Sequence, residues 1–82
     1  MMEFSQAQER FSKLARRHKD VLVALANGHD NVEIAEQTGL AKNTVATYFR
    51  EIHYILGIGK RTSLVVFALR MGLVKIEELE LH

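Results

Sequence analysis

The chain contains no cysteine, no proline and no tryptophan. Without cysteine, neither a disulfide nor a thiolate metal site can form. Without proline, no helix is forced to break from within. No stretch approaches the roughly 18 to 20 apolar residues of a membrane span, and no basic-then-apolar export signal opens the chain. The histidines, His18, His29, His53 and His82, are scattered. His29 is read as having no His, Asp or Glu neighbour at metal-ligand spacing on a shared helix face, and no metal is expected. There is no Gly-rich phosphate loop and no cluster of His with carboxylates. An enzyme is not expected, nor is a cofactor. The absences leave a reduced, cytoplasmic compartment as the expectation, with no membrane partner.

What remains is a chain of 82 residues, 48% of them hydrophobic. That is one domain near the lower end of what folds without staples, and too apolar for a disordered tail. Polar–apolar alternation is hard to find, so the fold class is all-α. Net charge is only +1, but its distribution is uneven. Residues 1–13 sum to zero, residues 14–75 to +4 and residues 76–82 to −3. A mildly basic centre is a modest electrostatic footprint for DNA, suited to a protein that binds as a dimer.

The centre of the chain carries the clearest pattern. Asp30 can cap a helix, with Glu33 three residues on to complete a capping box. Ile34 and Ala35 follow, and Gly39 stands where a left-handed turn is wanted. Leu40 plugs the corner. Val45, Phe49, Ile52 and Leu56 then recur at four, three and four residues, one face of a second helix. The small Ala35 lets the two helices cross closely. This is the spacing of a helix-turn-helix, whose second helix enters the DNA major groove. The expected helices cover about 31–38 and 42–56. The outer face of the latter carries Asn43, Ala46, Thr47, Arg50 and Tyr54. Lys42, Asn43 and Thr44 at its start suit a phosphate.

Upstream, Phe4, Phe11, His18 and Leu25 stand seven apart, with Ala7, Leu14 and Val21 three residues after the first three. That heptad allows one long helix from about Ser5 to Asn27, or two helices broken near Lys13–Arg16. The stripe either packs on the domain or pairs with a partner. Downstream, Gly57 ends the helix and Ile58 tucks into the core. Lys60 and Arg61 stand at a helix N-terminus, a placement that suggests a visiting anion. The last helix, about Arg61–Met71, contains six apolar residues in a row from Leu64 to Leu69. Leu64, Val65, Ala68 and Leu69 can face the domain's core, leaving Val66, Phe67, Arg70 and Met71 for another surface. A helix apolar on more than one side is covered on more than one side, and a two-fold axis through this one would bury Val66 and Phe67 against a second copy. Leu73, Val74 and Ile76 are expected to close the core.

The residues in order resemble the LuxR/GerE-type DNA-binding domain of bacterial transcription regulators. The resemblance rests on Val21-Leu22, Leu25-Ala26-Asn27-Gly28, Asn31, Glu33-Ile34-Ala35-Glu36, Gly39-Leu40 and Thr44-Val45. It continues through Ile52, Leu56-Gly57-Ile58, Arg61-Thr62, Ala68-Leu69-Arg70 and Gly72-Leu73-Val74. It implies a four-helix domain at 14–76, with a helical extension at 1–13 and an acidic tail at 77–82. What precedes residue 14 is too short for a receiver or signal-binding domain, so the stand-alone members of the family, or an isolated output domain, are the expected kin. By the same resemblance the third helix reads the major groove and the fourth pairs across a dimer axis. Ala46, Thr47 and Arg50 fall at base contacts, and Lys42, Asn43, Thr44, Lys60 and Arg61 at phosphate contacts. The chain departs from the family at Leu14-Ala15-Arg16-Arg17-His18, where Leu-Thr-Pro-Arg-Glu is usual; losing that cap favours one continuous helix through the extension. Ala41 replaces a Ser or Thr cap and Ala46 a common Lys, whose loss leaves a methyl group able to meet a thymine methyl.

Two functions follow. One is a sequence-specific regulator that binds double-stranded DNA as a homodimer through the fourth helix, with another regulator or RNA polymerase as further partners. The other is a protein-interaction module, an antiactivator or co-regulator that uses the same scaffold to bind a larger regulator.

Overall fold

A computed structural model of the chain describes residues 4–74. Ile76 and the acidic 77–82 segment lie outside the described residues. The order is α1 (Phe4–Arg10), a 3-10 turn (Phe11–Lys13), α2 (Arg16–Ala26), α3 (Asn31–Thr38), α4 (Lys42–Leu56) and α5 (Arg61–Arg70). The architecture is all-α, with no strand among the described residues. The four helices expected of the domain are α2 to α5, and α1 is the extension.

The core is built from helix faces that the periodicity marks. Val45, Phe49, Ile52 and Leu56 of α4 are all buried, as are Val21, Leu22 and Leu25 of α2 and Ile34 of α3. Ile58 and Val74 are buried too, and Leu73 packs beside them. α2 packs against α4 and α5, and α3 against α4. Among the described residues no single helix is long and apolar enough to cross a membrane.

The extension is not the one continuous helix with α2 that the missing cap favoured; the structure shows the other reading, two helices broken near Lys13–Arg16. The backbone turns extended at Leu14 (ψ 132°) and Ala15 (ψ 164°). Neither proline nor glycine marks the break; tertiary packing decides it, as it commonly does for marginal helices. A straight helix would carry Phe4 and Ala7 away from the domain. The bend returns them: Ala7 and Leu14 are buried in the same core as the other helices, and Phe4 and Phe11 lie 5.6 and 6.1 Å from the ring of Phe67 on α5.

That contact corrects a second expectation. Phe67 does not stand in water for a second copy to cover; it is 3% exposed, covered by the chain's own α1 and 3-10 turn. Arg70 is exposed but its guanidinium carbon sits 4.0 Å above the Phe4 ring, and Met71 packs partly into the core. Only Val66, at 55% exposure, remains as the large apolar group of α5 facing solvent.

Candidate nucleic-acid interface

The helix-turn-helix forms from local rules. Asp30 Oδ1 accepts from the Glu33 N–H at 2.9 Å, and Glu33 Oε1 accepts from the Asp30 N–H at 3.0 Å, a complete capping box. Gly39 ends α3 at φ 72°, a left-handed conformation cheap only for glycine. The Thr38 carbonyl, orphaned at the helix end, accepts from Arg17 Nη1 at 3.2 Å. α4 then starts at Ala41 with no side-chain cap, which leaves its first N–H groups open to an outside acceptor.

With the Val45–Leu56 face buried, the opposite face of α4 is fixed. Lys42, Asn43, Ala46 and Arg50 are exposed, and Thr44 and Thr47 are half-buried. The structure therefore brings six of the eight sequence-predicted base and phosphate residues onto one helix. Three of them are linked: Arg50 Nη2 donates to Thr47 Oγ1 at 3.4 Å, while that hydroxyl donates to the Asn43 carbonyl at 3.0 Å. The Thr47 hydroxyl proton is thus committed, and Thr47 can meet a ligand through its methyl group or as an acceptor. Tyr54, 85% exposed, continues the same face one turn beyond Arg50.

Lys60 and Arg61 sit together at the start of α5 but in different surroundings. Lys60 is exposed. Arg61 donates from Nη2 to Asn31 Oδ1 at 2.6 Å, and its guanidinium carbon lies 4.1 Å above the Phe49 ring. Partial burial there lowers the Arg61 pKa from its ordinary value, while arginine remains a cation at neutral pH.

The sequence reading missed one contact of this helix. His18 is 9% exposed and joins α2 to α4. Its Nδ1 accepts from the Ala15 N–H at 3.0 Å, so Nε2 carries the proton and donates to Glu51 Oε1 at 2.9 Å. The Tyr48 ring stands edge-on to it at 4.9 Å. The available signal was its position: His18 stands where the resembled family usually has Glu. His29, expected to stand apart, has Nδ1 3.6 Å from Glu33 Oε2. Among the described residues no three His, Asp or Glu are grouped to hold a metal ion.

Comparison with known proteins agrees with this geometry. The family described as "Bacterial regulatory proteins, luxR family" matches residues 12–68. The transcriptional activator RamA of Corynebacterium glutamicum is 43% identical over 61 residues, covering 74% of this chain and 22% of its own length. The transcriptional regulatory protein YhcZ of Bacillus subtilis is 36% identical over 66 residues, 80% of this chain and 31% of that protein. The quorum sensing-dependent transcriptional regulator VjbR of Brucella abortus is 38% identical over 69 residues, 84% of this chain and 27% of that protein. The chain thus spans under a third of these relatives. No solved structure matches it. Its family is one of regulatory proteins rather than enzymes. A capped α3, a left-handed Gly39 and an α4 with one buried and one open face, matched over most of the chain's length, show that the chain belongs to the luxR family of bacterial regulatory proteins.

Proposed function

We propose that the chain is a sequence-specific double-stranded-DNA-binding domain of a transcription regulator, working in the cytoplasm. The observation that carries the reading is the open face of α4, where Arg50 and Thr47 adjoin on a helix whose other side is fully buried. Arg50 can bond guanine O6 and N7 together, and the methyl groups of Ala46 and Thr47 suit a thymine methyl. Lys42, Asn43, Thr44 and the open N–H groups at the start of α4 serve phosphates, as does Lys60.

Pairing of two copies through α5 belongs to the same proposal. Val66 is the exposed apolar group there, with Ser63 and Arg70 one turn to either side; Phe67 is not part of that surface. A two-fold axis would set two copies of α4 about one DNA turn apart and give an inverted-repeat site.

The alternative of a protein-interaction module is favoured by one observation: Tyr54 at 85% exposure leaves a large aromatic group on the reading face. Titration of mixed-sequence duplex DNA at rising salt separates the two. A DNA-binding domain loses affinity steeply, because neutralised phosphates release counterions. No binding even at low salt favours the interaction module. Sedimentation of Val66→Glu with and without DNA reads the pairing.

A further inference from the structure

Arg61 and Lys60 look alike in sequence, two cations at one helix start. Their surroundings separate them. Arg61 touches three helices at once: it begins α5, bonds Asn31 at the first position of α3, and lies on the ring of Phe49 in the middle of α4. Phe49 is 4% exposed and belongs to the core, so the ring is a fixed platform. Asn31 directly follows the Asp30 cap, so its backbone is fixed by the capping box.

The geometry of α3 shows what this contact does. α3 spans eight residues, about 12 Å at 1.5 Å per residue. Gly39 joins its far end to α4 by a tight turn. Ile34 seats the middle of α3 in the core and the helix packs on α2 and α4, so the first turn, farthest from Gly39, is the part whose placement a further contact can still set. Asn31 is the opposite end, and Arg61 ties it to the middle of α4. A lysine cannot do both jobs, since stacking on a ring and bonding an amide oxygen together need the planar guanidinium. The cation at a helix N-terminus, unfavourable for the dipole, is thereby explained without a visiting anion.

We infer that Arg61 is a positioning residue, which fixes the angle between α3 and α4 through Asn31 and Phe49, and that Lys60 alone of the pair serves as a phosphate contact. The inference rests on the DNA reading proposed above for its effect on specificity, but not for its effect on the helices.

The test uses the full chain with Lys60→Ala, Arg61→Lys, Asn31→Ala and the Asn31→Ala/Arg61→Lys double variant. Each is titrated against a duplex selected from random sequence and against unselected duplex, over a range of salt. Lys60→Ala should weaken both duplexes alike and reduce the salt slope by about one. Arg61→Lys and Asn31→Ala should leave the salt slope unchanged but cut the selected-to-unselected affinity ratio, roughly fivefold. The double variant should be no worse than either single one, because both break the same tie. Loss of folded protein alone would lower both affinities and leave the ratio intact. Should Arg61→Lys fail to fold, Asn31→Ala, which changes no charge, carries the comparison. An unchanged ratio in Asn31→Ala overturns the inference.

If the unsubstituted chain binds no duplex at low salt, the DNA reading fails separately, and amide chemical shifts decide the positioning role. Residues 42–48 should then shift in Arg61→Lys and Asn31→Ala and stay in place in Lys60→Ala. Unshifted resonances in the first two overturn it.

Discussion

α4 and α5 are neighbours in sequence and opposite in design. α4 buries one face and leaves the other bare, so its apolar residues recur at helical spacing. α5 buries Leu64 and Ala68 against the core and Phe67 against Phe4 and Phe11. It is therefore apolar nearly all round, and no single face can be read from its sequence. The comparison teaches that a patterned helix announces where its free surface lies, while an unpatterned one announces only that more than one cover exists. For α5 the second cover is supplied first of all by the chain itself.

The largest effect should break that second cover. Phe67→Ala should destabilise the fold by about 3–5 kcal/mol, as for a buried aromatic, read by urea denaturation. A cost below about 1 kcal/mol would mean that α1 does not seal α5. His18→Ala should cost about 1–3 kcal/mol, because the Ala15 N–H and Glu51 lose their shared partner. Its effect should fall on α2 and α4 and spare the α1–α5 contact, seen as retained amide protection around Phe67. Ala41→Ser should stabilise α4 by roughly 0.5–1 kcal/mol through a restored cap, visible as a raised urea midpoint. The smallest effect belongs to Val66→Ala, which should change the stability of the single copy by no more than about 0.5 kcal/mol. The pair Phe67→Ala and Val66→Ala thus measures directly which side of α5 is already covered.

The same contrast explains what the sequence could tell. α3, the turn and α4 were legible because three of their four boundaries are made by residues beside them: Asp30 with Glu33, Gly39 and Gly57. The buried set of α4 followed from its spacing alone. A break near Lys13–Arg16 was one of the two readings open to the sequence, which could not choose it, since no breaker marks Leu14–Ala15 and the heptad of Phe4, Phe11 and Leu14 runs through it. Those residues are placed by Phe67, far along the chain, and a local pattern carries no such information. At the candidate site, the sequence gathered Asn43, Thr47 and Arg50 on one face. It could not separate Lys60 from Arg61, because the difference lies in Asn31 and Phe49, which only the fold brings near. His18 was passed over for the same reason: its partner Glu51 is on another helix.

The central claim is that the open face of α4 reads base sequence through Arg50. The most direct measurement compares Arg50→Ala with the unsubstituted chain on a duplex recovered by selection and on unselected duplex at the same salt. The account predicts a loss of about 1–3 kcal/mol on the selected duplex and a much smaller loss on the other, with urea stability unchanged. Equal losses on both duplexes would make Arg50 a phosphate contact and contradict the claim.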